Sequence, residues 1–461
     1  MHHIVRMIIG LCCLACLPSL AAGHRVDTVP TLVAAAGAAE PGDVIELAAG
    51  EYVLPKPLQL KSGVSLRGAG IDKTILTNAE AWRVGYDGLP DKEVDHRSVR
   101  RDAYLIDLGD NAEDVTIANL TLKGSELHGA IYGNASHRLV LHDLKIEYFL
   151  WSGVRLFRWQ DGKIHDCLFI DAGGQAKGNK GITGGGIFLT WARGCEIYNN
   201  RFTQTEDHLG HYYGIKGRQA NDTRIHHNTI GCNFAIELPF ENESGVEIDH
   251  NYLGGVVSIP KHAGGPAHKD DKPWAFHLHH NYFTTSYAVE GPRNGLLVEH
   301  NLFDFNTEKD GGSLISIFGK ATAPGPIVFR HNYVSNPGRG VFWSNPIVNQ
   351  LTFINNHIVT RTTTTPRKEG LFGMSKKTDF TTVRIENNLI ECIDQARPLV
   401  RNDESAEAMI KNNRLTNVSD TARYANASTD EPVGPQGSNA FRVGVDGEYR
   451  VDRFTIEKFV R

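Results

Sequence analysis

From about residue 104 a short unit of alternating apolar and polar positions, I-x-x-N-x-I/F, recurs along the chain. It reads IANLTL (Ile117), LHDLKI (Leu141), IHDCLF (Ile164), IYNNRF (Ile197), IHHNTI (Ile225), IDHNYL (Ile248) and LHHNYF (Leu278). It continues as VEHNLF (Val298), FRHNYV (Phe329), FINNHI (Phe353), IENNLI (Ile385) and IKNNRL (Ile410). Twelve units 20 to 33 residues apart predict a solenoid. The period-2 alternation within each unit predicts short strands with one face turned inward. The fourth position is Leu120, Leu144 and Cys167 at first, then Asn200, Asn228, Asn251, Asn281, Asn301, Asn332, Asn356, Asn388 and Asn413. An asparagine at the same turn of every coil can bond its neighbours up and down the stack, pairing turn amides that burial would leave unmet. The expected fold is all-β, a single-stranded right-handed parallel β-helix with an asparagine ladder. His226, His227, His250, His279, His280, His300 and His331 flank the asparagines, alternate with the inward residues, and are expected on an outer face in a structural role. No LxxLxL or WD signature recurs, which argues against leucine-rich and propeller repeats.

Both ends of the pattern have their own character. Residues 24–39 are alanine-rich, and LVAAAGAA predicts a short helix. Pro41-Gly42-Asp43 predicts a turn, and VIELAAGEYVL and VSLRGAG predict strands. A helix there would cap a sheet edge that otherwise invites aggregation. The pattern fades after Asn417, so residues 22–417 are expected to form the β-helix and 418–461 a C-terminal cap or tail. At the other end, Arg6, the apolar run MIIGLCCLACL and Ser19-Leu20-Ala21 predict a signal peptide over 1–21, cleaved near Ala21 or Ala22. The run is too short to span a bilayer comfortably, so the expectation is a secreted or periplasmic protein with no membrane partner.

Of seven cysteines, Cys12, Cys13 and Cys16 lie in that segment. Cys167, Cys195, Cys232 and Cys392 form no CxxC pair, which argues against a cysteine zinc site. Cys167 and Cys195 fall in neighbouring repeats, but buried free thiols are the preferred reading. A net charge of -5 gives no global basic field for nucleic acid.

Coil length varies, with long excursions at 170–186, 203–213, 262–274 and 304–313. Insertions in solenoids become loops that wall a binding face. Aligning the strand before each asparagine unit on its central aliphatic gives the column Leu156, Leu189, Ile215, Ile236, Ile259, Val289, Ile317. The next, outward position reads Phe157, Thr190, Lys216, Glu237, Pro260, Glu290, Phe318. Two further on it reads Trp159, Ala192, Arg218, Pro239, His262, Pro292, Lys320. Coils stack at ~4.8 Å, which makes Lys216 and Glu237 neighbours and puts Glu237 and Glu290 roughly 10 Å apart. A plain cross-coil salt bridge is the competing account of Lys216 and Glu237. Trp159, Trp191, Tyr212, Tyr213 and Phe240 offer stacking platforms for sugar rings, and His211, Glu241, Lys261 and Arg293 lie nearby.

The opening PGDVIELAAGEY and GVSLRGAG resemble the N-terminal coils of the pectate-lyase-like superfamily of β-helix carbohydrate enzymes. Within it, Gly214-Ile215-Lys216 followed by RIHHNTI is similar to the lysine coil of the alginate-lyase and chondroitinase-B family. That resemblance implies Lys216 as the base. The family's Lys-Ser pair is Lys216-Gly217 here, its arginine on the next coil falls near Glu237-Leu238, and His211, Tyr212 and Tyr213 replace its acidic calcium ligands. No metal ligand is assigned, and Ca2+ stays open as a cofactor.

Three functions are weighed. The first is a lyase acting by β-elimination on a uronic-acid polysaccharide, with Lys216, His211 or Tyr213 as base or acid and Arg218, Lys261 or Arg293 neutralising the carboxylate. The second is an inverting glycoside hydrolase using Glu237 with Glu290 or Glu241. The third is a non-catalytic glycan-binding protein. Trp159, Trp191, Tyr212, Glu241, Lys261, His262 and Arg293 are the expected substrate contacts. Basic residues outnumber acids on the strip, which favours an acidic polysaccharide and places the lyase first.

Overall fold

The computed structural model describes residues 22–87, 99–173, 184–205, 212–238, 245–259, 274–285, 287–290, 295–305, 312–316, 322–323, 326–343, 347–348, 350–361, 370–374, 379–393, 396–401 and 410–419, with strand pieces at 442–443, 449–451 and 454–455. The chain winds as a right-handed parallel β-helix. Among the described residues, one sheet holds 27 strands and a second holds 13, and neighbouring strands in both run parallel. The first carries the asparagine units and is called the ladder sheet here; the second is the smaller sheet. The pieces Arg442–Val443, Tyr449–Val451 and Phe454–Thr455 pair antiparallel in a sheet of their own.

The repeating units fall into one column. Ile117, Leu141, Ile164, Ile197, Ile225 and Ile248 pair in succession. Leu278, Val298, Phe329, Phe353, Ile385 and Ile410 continue it. All are buried. Each such side chain removed from water contributes roughly 1.5–3 kcal/mol before the entropy of ordering is set against it. A second inward column stacks aromatic rings, with Phe169 on Phe202 and Phe283 on Phe303 at 4.6 Å.

Between those two columns runs the ladder. Asn200, Asn228, Asn251, Asn281, Asn301, Asn332, Asn356, Asn388 and Asn413 each use Oδ1 to accept from the turn amide of the coil before, at 2.8–3.0 Å. Each Nδ2 donates to a buried main-chain carbonyl, such as Ile248 O from Asn281 at 2.8 Å. The residue just before each rung takes a left-handed backbone, with φ of 54° at Asn199, 55° at His227, 53° at His250, 54° at His280, His300 and Asn412, and 56° at Asn387. Asparagine, aspartate and histidine tolerate that region better than other side chains. This requirement explains the His-Asn and Asn-Asn dipeptides of the sequence. The histidines of these corners stack face to face, His227 on His250 at 4.9 Å, His250 on His280 at 5.0 Å, and His300 on His331 at 5.1 Å. Burial is the first reason that His227, His300 and His331 sit below the ordinary histidine range.

The N-terminal helix is Val29–Ala38. Thr28 and Thr31 form a capping box at its start, with a proline in the first turn. Its Leu32, Ala35 and Ala36 are buried against the main core, so the helix covers the inner apolar residues of the first coils. Cys167, Cys195, Cys232 and Cys392 are free and buried, as the spacing suggested. Burial pushes the Cys195 thiol up to about 12. No helix among the described residues is long and apolar enough to cross a membrane.

His128 gives the core a pH dependence. It is fully buried at the head of the strand Gly129–Asn134. Burial, then the charge of Arg100, takes its imidazole down to about 4 against the opposing carbonyls of Gly85 and Asp87. The unfolded chain therefore protonates this group near 6.5, while the folded chain keeps it neutral until about 4. Its contribution is full above pH 6.5 and is lost as the pH falls toward 4, by on the order of 3 kcal/mol. The expected result is a thermal midpoint that drops between pH 7 and 4.5, with a shallower drop in His128→Gln. Equal slopes in the two proteins would contradict the assignment.

Candidate functional site

The smaller sheet carries the charged strip on its outer face. Pairing runs Gln59, Asp107, Tyr132, Arg155, Phe188, Lys216, Glu237, Ser258, Glu290, Ser316, Trp343, one residue per coil. Lys216, Glu237 and Glu290 thus share one column. Glu237 and Glu290 stand two strand spacings apart with Ser258 between them. The remaining members differ from the sequence alignment. Ile215 pairs with Ile187, not Leu189, and Ile236 pairs with Val257, not Ile259. The residues beside Lys216 on earlier coils are therefore Phe188 and Arg155. Phe157 and Thr190 align instead with Arg218. Sequence reasoning missed Arg155, Phe188 and Ser258.

A signal for the true register was present. Gly153, Gly186 and Gly214 each stand two residues before the column. A Cβ on Gly186 would come within 2.7 Å of the Phe202 ring, and one on Gly214 would strike Ile230 and the Ala235 carbonyl. These glycines are fixed by the inner side chains Phe169, Phe202 and Ile230, and aligning on them places Arg155, Phe188 and Lys216 together.

Lys216 lies in the strand Tyr212–Arg218, and Glu237 ends the strand Phe234–Glu237. Their Nζ and Oε2 are 3.0 Å apart, with side chains only 6% and 17% exposed. The ammonium also lies 4.2 Å from the centre of the Tyr213 ring and 5.5 Å from that of Phe188. Tyr213 in turn stacks on Phe234 at 4.7 Å. Lys216 thus makes its contacts as a cation, held by a carboxylate and two aromatic faces. Two coils earlier Arg155 is fully buried, its guanidinium 3.7 Å from the Phe188 ring centre, 4.4 Å from Phe157 and 5.0 Å from Trp151. Tyr104, Tyr132, Trp151 and Phe157 pack together with Val99 as a separate buried cluster. Burial takes the Tyr132 phenol up to about 12, which unfits it for proton transfer near neutral pH.

Two expected sugar platforms are corrected. Trp159 belongs to the main core, because the left-handed residue Arg158 (φ 48°) turns the next side chain inward. Tyr212 is likewise a core residue, one position out of phase with Tyr213, and burial takes its phenol well above the ordinary range. Trp191 is 38% exposed. Arg218 closes its strand, where its carbonyl accepts from the Trp191 amide at 2.8 Å. His211, Glu241, Phe240, Lys261, His262 and Arg293 lie outside the described residues, as does the Glu290 side chain.

One described cluster could hold a divalent cation. Asp249, His250 and His279 bring one carboxylate and two imidazoles within 4.8 Å of one another. Burial works against the Asp249 anion, but hydrogen bonds from His250 and Arg224 outweigh it and hold the group below the usual carboxylate range. The carboxylate is the donor that calcium would use, and the imidazoles widen the set to zinc-like ions. The cluster belongs to the ladder sheet, away from the strands of Lys216. The sequence treated these histidines as structural, and only the fold shows that His279 meets Asp249 from the next coil.

A family profile described as "Right handed beta helix region" matches residues 105–259. Curated proteins yield no match. Among solved structures, the chain is similar to a mutant tailspike protein of E. coli bacteriophage HK620 in complex with pentasaccharide, at 12% identity and a TM-score of 0.52, over 87% of this chain and 77% of that one. It is also similar to PfbA, a surface adhesin of Streptococcus pneumoniae, at 12% identity and a TM-score of 0.51, over 72% and 85%. An alginate lyase from Paenibacillus matches at 14% identity and a TM-score of 0.41, over 70% and 99%. At these identities the likeness is one of fold.

Proposed function

We propose that this protein is an exported enzyme that cleaves a uronic-acid-containing polysaccharide by β-elimination over Lys216 and Glu237. The observation that carries the reading is the charge balance of the outer face. On the four successive strands Ser152–Phe157, Gly184–Thr190, Tyr212–Arg218 and Phe234–Glu237, Lys216 and Arg218 oppose the single carboxylate of Glu237, while Arg155 is buried among aromatic rings. Elimination needs a base for the C5 proton, a cation for the charge that spreads from the sugar carboxylate into the enolate, and an acid for the departing oxygen. Lys216, fixed by Glu237, supplies the cation. Tyr213 stands beside it for proton transfer, with His211 as the alternative, and Arg218 takes the substrate carboxylate. The test is digestion of a panel of acidic polysaccharides, followed by absorbance near the ultraviolet edge. An unsaturated product supports elimination, and active digests without one remove it.

The position of Glu290 favours a second reading. Two strand spacings put the backbones of Glu237 and Glu290 about 10 Å apart, which leaves room for a water between two carboxyl groups, as an inverting hydrolase needs. Full activity in Glu237→Gln would eliminate that alternative. Export is read from residues 1–21, and the mass of the protein recovered outside the cytoplasm tests it: the mature chain begins at residue 22 or 23.

A further inference from the structure

A depression of 370 Å³ lies around the corner from Lys216, where the strands of the smaller sheet end. Its wall is built from two rungs of side chains. Arg158, Trp191 and Gln219 occupy the left-handed corner of three successive coils, with φ of 48°, 58° and 54°. The next residue of each coil, Trp159, Ala192 or Ala220, turns into the core. The one after turns out again, and Gln160, Arg193 and Asn221 are bridged to one another in parallel. The corner geometry therefore repeats from coil to coil, and it holds the indole of Trp191 outward, between Arg158 and Gln219 on its own row and beside the row of Gln160, Arg193 and Asn221. The Arg158 guanidinium lies 5.9 Å from the centre of that indole. Arg193 is largely exposed and lies 3.6 Å from Asp222.

We propose that this depression is a second glycan site, distinct from the Lys216–Glu237 column, which takes one carboxylate-bearing sugar unit. Each wall component matches a part of such a ring. The indole face receives the apolar C–H face of a pyranose. The guanidiniums of Arg158 and Arg193 receive the carboxylate in planar, two-point fashion. The amides of Gln160, Gln219 and Asn221 both donate and accept, as ring hydroxyls require. The volume falls at the lower end of the range for small-ligand pockets, the scale of a single sugar rather than a long chain. Trp191 stands three residues beyond Phe188, the strand partner of Lys216, so the site lies roughly 10 Å from the Lys216 column. A polymer lying across that column can reach it. The inference rests on the proposed function only in assigning both sites to the same polymer.

The test is calorimetric titration of the full-length Lys216→Met/Glu237→Gln protein, in which turnover is expected to be abolished, with trigalacturonate, trimannuronate and neutral xylotriose. At least one acidic trimer binds, its affinity falls as salt rises, and xylotriose does not bind. Trp191→Asn, whose residue type suits the left-handed corner, weakens binding roughly tenfold or more. Arg193→Gln, at an exposed position, weakens the acidic trimer while circular dichroism stays that of the parent. The proposal is overturned if no acidic trimer binds, if Trp191→Asn binds as tightly as its parent, or if xylotriose binds as well as the acids. Trp191-dependent binding in a protein without elimination activity would uphold this site and remove the chemistry proposed over Lys216. Elimination without Trp191-dependent binding would do the reverse.

Discussion

Lys216→Met stops the reaction, with the rate of product formation falling about a thousandfold or more. Methionine matches the apolar stem of the lysine out to Cε and removes the ammonium group. What is lost is the cation that meets negative charge as the C5 proton leaves, an interaction formed most strongly in the transition state. The same change takes the 3.0 Å ammonium contact away from the enclosed Glu237 carboxylate. Breaking an enclosed pair from one side costs roughly 3–5 kcal/mol, so the single variant is expected to be less stable as well as inactive. The double variant Lys216→Met/Glu237→Gln separates the effects. It regains most of the stability, because neither half of the pair is left charged, and it stays inactive. Initial rates read at the ultraviolet edge, with a denaturation midpoint for each protein, give both quantities. A Lys216→Met protein with a tenth of the parent rate would show that the pair is merely a cross-coil salt bridge.

The second large effect belongs to the ladder. Asn281 is fully buried at its centre. Its Oδ1 accepts from the Asn251 amide and from Asn251 Nδ2, both at 3.0 Å. Its Nδ2 donates to Ile248 O at 2.8 Å and to Asn301 Oδ1 at 3.0 Å. Asn281→Ala leaves the Asn251 amide and the Ile248 carbonyl unmet inside an apolar column, at about 1–3 kcal/mol for each group. The expected loss is roughly 3–5 kcal/mol, confined at first to the coils on either side, since each coil of a solenoid touches only its neighbours. Asn281→Asp is expected to be worse than alanine. Aspartate has nearly the same shape, but its carboxylate cannot donate to Ile248 O and would face the Asn301 Oδ1 acceptor. Amide hydrogen exchange checks both: protection falls first in residues 246–253 and 296–304, while Val44–Leu47 keeps its protection. Unchanged protection around Asn251 would show that the ladder is dispensable.

The ladder sheet could be read from the sequence because two independent demands fall on adjacent residues. A left-handed corner restricts the residue before the rung, and an amide must meet both a donor and an acceptor at the rung itself. Few residue types satisfy either demand, so His227-Asn228 and Asn387-Asn388 mark the same turn in distant coils. The smaller sheet imposes less. Val154 and Leu156 are both inward and apolar, as are Ile187 and Leu189, so composition does not distinguish a register shifted by two. Such a shift preserves the inward face and alters only which outer residues meet. That is why Lys216, Glu237 and Glu290 aligned correctly while Arg155 and Phe188 were passed over. Trp159 and Tyr212 failed for a related reason. Next to a corner the alternation slips by one residue, and an aromatic that strict period-2 counting sends outward goes into the core. The Asp249–His250–His279 cluster needed the fold, because its members come from different coils.

Oxygen accounting in the products bears most directly on the central claim. Digestion of the preferred acidic polysaccharide in water enriched in oxygen-18, followed by mass spectrometry of the fragments, separates elimination from hydrolysis at the bond that breaks. Elimination over Lys216 predicts one fragment of each pair carrying a double bond, total mass equal to that of the parent chain, and no oxygen-18 at either new end. Fragments heavier by one labelled water, formed by the same protein and lost in Glu237→Gln, would contradict it.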